Sequence, residues 1–369
     1  MFWPAAGTVR FGLARAGVQS NTATMSKGKT AGVVGALLVL LGAGIAFLVG
    51  LTPAEPSYQG RAASAWLDDF SIMSSKSGEY ARPALKAMGS TVAPVIIRRL
   101  KASESVWQTK YRLLFPKVPS RVSIFLPKPR AEFDHLDGAN AFFAIGPGVE
   151  PALIEALKSD SPETRAAAAG ALSFLRFYDG ADIKDAIPGL TQALRDETVT
   201  VRMFSTLALS EAGPDAAPAV TDLILLLKDK DIDPKTGGRI AVRAAAARAL
   251  GKIGPKANAA LPALTNLLED NDNYLRAAAA IGIWRIDGNV TNTLPVLTQA
   301  LQQGRVEMKW WLIDAIGEMG PRAKTAVPVL LRELAAPKHT SPSWSYNCGK
   351  ITNALNQIDP EALAKAGMR

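Results

Sequence analysis

The side chains that most often carry chemistry are few in this chain, and they are not clustered. There is one cysteine, Cys348, which excludes a disulfide within the chain and a cluster of cysteine metal ligands. The two histidines, His135 and His339, fall far apart in segments predicted to be loops. The sequence has no Gly-rich phosphate loop, nucleophile elbow or His-Glu metal helix. It therefore predicts no catalytic residue and no cofactor.

Closely spaced carboxylates are the remaining candidates for a metal site. Asp229, Asp231 and Asp233 have a spacing similar to the opening of a calcium loop. Pro234 stands where that loop needs glycine, and Arg239 stands where it needs a bidentate glutamate. We therefore expect no metal ion here.

A run of cations between residues 98 and 130 includes nine Lys or Arg against one acidic residue, Glu104. This basic strip consists of Arg98, Arg99, Lys101, Lys110, Arg112, Lys117, Arg121, Lys128 and Arg130. Aromatic residues such as Trp107 and Tyr111 are interleaved with it. Either the strip contacts anionic lipid headgroups or an acidic partner, or it is a solvated insertion between two hairpins. Single-stranded nucleic acid also binds basic-aromatic surfaces, but the location predicted below disfavours it.

The elements that position these residues are predicted by a recurring sequence motif, in which Pro is followed two and six residues later by Leu, Val or Ile. The last two steps between its prolines are both 33 residues. A constant period of this size is typical of a stacked repeat array. The prolines are Pro94, Pro151, Pro188, Pro218, Pro262, Pro295 and Pro328.

Residues 239–270 indicate what one repeat is. Their first half is rich in Ala at helical spacing, which favours a helix. Gly254 then allows a left-handed turn, and a second helix starts near Pro262. Asp precedes several first helices, at Asp160, Asp196 and Asp270, where it suits an N-cap. Because one hairpin cannot bury both apolar faces, about seven must stack into an all-α solenoid.

The second helices carry a row of short polar side chains, one pair in each of four consecutive units. In such arrays one helix layer lines the concave side. The row predicts a mostly uncharged groove for an extended peptide or a partner helix. Alternatively, it consists of solvent-facing residues copied by duplication. Its members are Thr191, Gln192, Thr221, Asp222, Thr265, Asn266, Thr298 and Gln299.

Aromatic residues accumulate toward the end of the chain. Trp310-Trp311 replaces the Ala-Ala of earlier first helices, and Trp284, Trp344 and Tyr346 lie nearby in sequence. We expect them to cap the open end of the array, as terminal repeats require. The alternative is an aromatic anchor for a partner.

Residues 31–51 contain no charged or polar side chain and are long enough to span a bilayer. The segment 1–30 is basic, so the N-terminus is predicted to be cytoplasmic and the rest to lie outside it, on a single-pass inner-membrane anchor. A cleaved signal peptide and a start at Met25 remain alternatives. The predicted divisions are 1–30, 31–51, a first hairpin region at 52–140 with the basic insertion 98–130, and the array at 141–369.

The repeat pattern over residues 79–359 resembles HEAT repeats and the related lyase-type HEAT-like repeats. The segment 55–67, EPSYQGRAASAWL, directly after an apolar segment, is similar to the entry of membrane-anchored bacterial HEAT-repeat proteins. The resemblance implies an accessory or scaffold protein and transfers no catalytic residue.

The expected function is therefore a membrane-tethered scaffold that binds an unidentified protein or peptide. Two alternatives remain open. Lyase-type repeats occur in bilin-attaching enzymes, and a purely structural spacer would have no specific partner.

Overall fold

The computed structural model describes residues 55–70, 76–101, 110–111, 113–119, 123, 133–229, 231, 242–303, 309–335 and 342–366. In the helices that begin at residues 76 and 342, the side chains are described from residues 81 and 347 onward. Glu55–Arg369 form one compact unit, distinct from Met1–Ala54. None of the described helices has the length and apolar composition of a membrane span. The predicted anchor at 31–51 lies outside the described residues.

The described part of the chain folds into helices, most of them paired as hairpins. After α1 (Ala63–Asp69), the hairpins are α2 (Lys76–Met88) with α3 (Ala93–Lys101), α4 (His135–Ile145) with α5 (Glu150–Ala156), α6 (Pro162–Asp179) with α7 (Ile187–Ala193), α8 (Val199–Ala212) with α9 (Val220–Leu226), α10 (Val242–Ile253) with α11 (Leu261–Asn266), α12 (Asn273–Asp287) with α13 (Val290–Gln303), and α14 (Lys309–Glu318) with α15 (Val327–Ala335). They are followed by α16 (Pro342–Ile358) and the short α17 (Ala362–Lys365). The predicted helical hairpin is thus confirmed as the repeating unit.

The turns inside the hairpins form as the sequence predicts. Gly254 ends α10 with a φ of 74°, a conformation that glycine adopts without a steric penalty. Pro262 lies in the first turn of α11, where its missing N–H leaves no hydrogen bond unmade. Short 3-10 helices join several pairs, and they span Gly89–Val92, Lys184–Ala186, Gly213–Ala219, Gly254–Ala260 and Gly320–Ala326; two further ones are Phe115–Lys117 and Leu267–Glu269.

The hairpins stack into two layers. The first helices pack side by side from α2 through α4, α6, α8 and α10 to α12, and α13 packs against the first helix of its own unit. Second helices such as α7 and α9 also contact the first helix of the next unit. The buried apolar residues form one cluster from Ala63 to Ile286 and a second from Ala277 to Ala362, and the partly buried Leu268 and Trp311 pack against both.

Small residues bring the first helices close together. The side chains of Ala167, Ala168 and Ala169 in α6 are completely buried. Where α10 meets α12, a Cβ added to Gly251 would lie 2.8 Å from the Cα of Gly282. Because that neighbour is backbone, the two helices could accept a larger side chain only by moving apart.

The entry segment contains a small β-ribbon that the all-α prediction lacks. Strands β1 (Ser57–Tyr58) and β2 (Arg61–Ala62) pair antiparallel across Gln59 and Gly60, which both have positive φ. Two consecutive residues in this conformation form the tight turn that suits a hairpin. The Trp66 indole donates to the carbonyl of Tyr58 at 3.3 Å, and Leu67 is buried in the core. The segment covers the first hairpin, because α1 contacts both α2 and α3.

The start of α4 differs from the sequence prediction. His135 is not in a loop but is the first residue of this helix, buried, with its ring 5.5 Å from that of Phe204. Asp134 caps the helix, because its carboxylate accepts the backbone N–H groups of Leu136 and Asp137. The helix runs across residue 140, where the sequence places a division. His339 lies outside the described residues.

Replacing Gly251 by Ala tests the close helix contact. Alanine favours a helix over glycine by up to about 1 kcal/mol. The collision with Gly282 should outweigh this gain, and we expect the free energy of unfolding to fall by about 1–3 kcal/mol. Urea unfolding followed by circular dichroism measures the change.

The matched control is Gly349→Ala in α16, where an added Cβ meets nothing within 4 Å. It should raise the free energy of unfolding by about 0.5–1 kcal/mol. A Gly251→Ala protein as stable as its parent would contradict the contact.

Candidate functional site

Arginines near the start of successive first helices connect each unit to its neighbours. The Nη1 of Arg165 donates to the carbonyls of Ser159 and Asp160 at 2.8 and 3.0 Å. Its Nε and Nη2 donate to the carboxylate of Asp196, at 2.6 and 3.0 Å. Asp196 lies in the loop that follows the second helix of the same unit, so one side chain ties three segments together.

The same arrangement recurs in the following units. Arg202 donates to the carbonyl of Asp196 at 2.8 Å and to the carboxylate of Asp229 at 2.7 Å. Arg243 donates to the carbonyl of Leu227 and to the carboxylate of Asp270, both at 2.8 Å. We call this series the arginine ladder; its arginines are Arg165, Arg202, Arg243 and Arg276.

The ladder arginines help to lower the pKa of two carboxylates, those of Asp196 and Asp270. Burial of Asp196 opposes its ionisation, but hydrogen bonds from Arg165 and from the N–H of Thr198 outweigh burial and lower its pKa below the ordinary value. The pKa of Asp270 is also lowered, chiefly because its carboxylate accepts the backbone N–H of Asp272 and also binds Arg243. Both carboxylates are therefore charged at neutral pH.

Three sequence-based N-cap assignments are wrong. Asp160, Asp196 and Asp270 are not the N-caps of their first helices. The caps are Ser161, Thr198 and Asp272, and the oxygens of Ser161 and Asp272 accept backbone N–H groups. The Asp196 and Asp270 carboxylates instead bind ladder arginines. The six-residue spacing from Asp196 to Arg202 and from Asp270 to Arg276 corresponds to the carbonyl contacts of the ladder, in which Arg276 donates to the carbonyl of Asp270 at 2.6 Å.

The carboxylates with calcium-loop spacing also serve the ladder. The Asp231 carboxylate accepts from Arg202 at 2.6 Å, beside the contact with Asp229. Asp233 lies outside the described residues. Across the residues that the structure describes, no group of three or more His, Cys, Asp or Glu side chains could hold a metal ion.

The predicted polar row lies on the second helices, and its members differ in exposure and in hydrogen bonding. Gln192, Asn266 and Gln299 are exposed on α7, α11 and α13. Among the described residues none of their three amide groups has a hydrogen-bond partner. These exposed amides are the part of the row that remains available to another molecule.

The other members of the row are engaged within the chain. The hydroxyls of Thr191 and Thr265 donate to the carbonyls of Ile187 and Leu261, each at 2.8 Å. Thr298 donates to the carbonyls of its own helix in the same way, and Thr221 is exposed. Asp222 was expected to point outward beside the amides, but it is buried and its carboxylate binds Arg195 at 2.7 Å.

The first residues of the basic strip also have internal partners. Arg98 forms an ion pair with Glu55, and Arg99 pairs with Asp68 at 2.5 Å and lies over the ring of Phe133. These contacts tie the entry segment to α3. Lys101, Lys110 and Lys117 are described, whereas Arg112, Arg121, Lys128 and Arg130 lie outside the described residues.

The structure describes part of the aromatic cluster near the end of the array. The ring of Trp311 packs back on Tyr274 of the preceding unit, with the centroids 5.0 Å apart, and Trp310 is 40% exposed. The described end of the array is covered by α16, through buried residues such as Ile351 and Leu355. The side chains of Trp344 and Tyr346 lie outside the description.

Stacked two-helix units tied by a ladder of arginines define an α-solenoid. The family model for HEAT repeats matches residues 150–236, 226–284 and 261–340, which together are more than half of the chain. The chain belongs to the HEAT-repeat family. No curated protein matches the chain.

Several solved structures share the repeat architecture at low identity. The complex of CpcE and CpcF of phycocyanin lyase from Nostoc sp. PCC7120 is 19% identical, covering 83% of this chain and 98% of that one, with a TM-score of 0.41. A computationally designed armadillo repeat protein for modular peptide recognition is 16% identical, covering 71% and 99%, with a TM-score of 0.33. Kap121p is 14% identical, covering 82% and 32%, with a TM-score of 0.46. Likenesses this weak assign no function or partner.

The ladder predicts a pH-dependent stability. A carboxylate whose pKa is lowered by folding stabilises the fold above its ordinary pKa of about 4, and this contribution is lost as the pH falls through the lowered value. At neutral pH we expect Asp196→Asn to lower the free energy of unfolding by about 1–3 kcal/mol. Urea titrations between about pH 7 and about pH 3 should show this deficit shrinking below about pH 4.

The matched control is Asp182→Asn, because Asp182 is exposed and lies 3.9 Å from Lys184. Its effect should stay within about 0.5 kcal/mol at every pH. A deficit for Asp196→Asn that is constant down to about pH 3 would show that its charge has no role.

Proposed function

We propose that this chain is a membrane-tethered scaffold that binds an extended segment of a partner protein along its second helices. One observation carries the proposal. The amides of Gln192, Asn266 and Gln299 are exposed at the same position of three second helices, and none has a hydrogen-bond partner among the described residues. A peptide backbone offers one N–H and one C=O per residue, and side-chain amides can bind both.

The charges around this row favour recognition of an uncharged ligand backbone. Asp222 would interrupt the row with a negative charge, but its ion pair with Arg195 neutralises that position. The face thus offers amide groups without strong attraction for either sign of charge. Such a surface favours main-chain recognition over recognition of a highly charged segment.

An apolar side chain on the same layer supplies an anchor point. Leu225 in α9 is 58% exposed, one helical turn after Thr221. Exposed Leu residues are common on protein surfaces. This one, however, lies on the helix between the units that carry Gln192 and Asn266, where a bound segment would cover it.

The tether in this proposal is the apolar segment 31–51. Its length suits a membrane helix, and the basic residues before it place the N-terminus in the cytoplasm. The repeat unit would then face the non-cytoplasmic side of the cell membrane. Contact of the basic strip with anionic lipid is a further part of this proposal, because clustered Lys and Arg near a membrane are attracted to an anionic surface.

Substituting lysine for one amide of the polar row tests whether the row binds the partner. Asn266→Lys or Gln299→Lys would bury an unpaired charge under a bound segment, and we expect partner recovery to fall about tenfold. Crosslinking in intact cells, affinity capture of the full chain and quantitative mass spectrometry measure the recovery.

Asn258→Lys is the matched control, because it adds the same charge at an exposed residue in the turn before α11. It should leave partner recovery unchanged. If all three variants recover the same proteins in the same amounts, the second-helix row is not the docking site.

The tether is tested separately by deletion of residues 31–51. We expect the intact protein in the membrane fraction after an alkaline carbonate wash, and the deleted protein in the soluble fraction. The C-terminal side should be digested by protease added outside the cytoplasmic compartment. Retention of the deleted protein in the membrane would reject this segment as the anchor.

A further inference from the structure

An open cleft of about 940 Å³ crosses the first helices of the first three hairpins, near the turns that end them. Arg82 and Lys86 of α2 line one side, and Tyr178 and Asp179 at the end of α6 line the other. Phe143 of α4 lies between them. The cleft is therefore formed on the first-helix layer, away from the polar row on the second helices.

Four aromatic rings make up much of this region. The ring of Phe143 lies 6.2 Å from Phe174 and 5.5 Å from Tyr178, and Phe177 meets Tyr178 edge-on at 4.8 Å. Phe177 and Tyr178 are 62% and 66% exposed. Large exposed rings of this kind are typical of contact surfaces, because they contribute much apolar area with few rotatable bonds.

Among the described residues the cations in the cleft have no ion-pair partner, unlike those at the same end of later units. Lys252 binds Glu211 at 2.8 Å, and Arg285 binds Glu318 at 3.0 Å, each across neighbouring first helices. Arg82 and Lys86 are exposed one helical turn apart, and no described carboxylate pairs with either. With Asp179 as the acid in the lining, the cleft keeps an excess of positive charge.

We propose that this cleft binds an acidic segment of a partner protein. A carboxylate of the segment pairs with Arg82 and Lys86, and a neighbouring aromatic or apolar side chain packs on Phe143 and Tyr178. The exposed walls of the cleft suit a chain lying across three helices, because small-molecule sites bury most of their ligand. Asp179 disfavours a surface of dense phosphates such as an anionic bilayer.

The experiment measures binding of a fluorescein-labelled random copolymer of Glu and Tyr to the full chain in mild detergent, by fluorescence anisotropy. Reversing both cations, Arg82→Glu with Lys86→Glu, should raise the Kd about tenfold. Tyr178→Ala should raise it severalfold, and labelled polyglutamate should bind more weakly than the copolymer. Circular dichroism checks that each variant is folded, and all three residues lie on the surface.

The matched control reverses two exposed turn lysines, Lys256→Glu with Lys324→Glu, and makes the same change in net charge. It should leave the Kd within about twofold of the parent value. An equal loss in both double variants would overturn the proposal, since attraction would then follow net charge alone. An unchanged Kd in Tyr178→Ala would also overturn it.

Vesicles of phosphatidylglycerol distinguish a lipid site from a protein site. If vesicle binding depends on Arg82 and Lys86 and copolymer binding does not, the cleft is a lipid site and the proposal fails. Asn266→Lys should leave copolymer binding unchanged, so that the cleft and the second-helix row are judged independently.

Discussion

The distance between neighbouring first helices is the constraint on which the rest of the array depends. That distance is set by small side chains, because interiors are close-packed and tolerate neither voids nor overlap. The Ala residues of α6 are fully buried, and Gly251 faces the backbone of Gly282. At this separation the second helices pack on the first helix of the next unit, as α7 does on α8 and α9 on α10.

The arginine ladder uses that geometry. A guanidinium donates in several directions from one plane, so Arg165 can bind two carbonyls and the carboxylate of Asp196 together. Paired charges in partly buried positions add little net stability, but breaking a pair is costly. The ladder therefore acts mainly to fix the register of each unit on the next.

The charged side chains that form no ion pair within the described array determine the charge of its surfaces. Later units pair their cations across neighbouring helices, as Lys252 does with Glu211. Arg98 and Arg99 form ion pairs with the entry segment, although in the sequence they belong to the basic strip. Arg82 and Lys86 remain, beside exposed rings.

The sequence by itself determined the hairpin, its turns and its period. These features depend on short-range interactions: Ala favours a helix, Gly254 permits the left-handed turn, and Pro262 fits the first turn of α11. The positions of the exposed amides at Asn266 and Gln299 also followed from helical periodicity alone. The β-ribbon could have been read from Gln59-Gly60, but its two short strands give a weak signal.

Only the tertiary structure decided which charges and rings have partners. Asp196 and Asp270 lie where an N-cap would suit, yet they bind ladder arginines 31 and 27 residues earlier, which become neighbours only when the hairpin of the same unit has formed. Asp222 is buried because Arg195, 27 residues earlier in the chain, reaches it. Trp311 packs on Tyr274, and Tyr178 meets Phe143, across helices from different hairpins. The physical reason is the same in each case. Local propensity acts within a few residues, whereas burial and ion pairing depend on distances that are set by the stacking of whole hairpins.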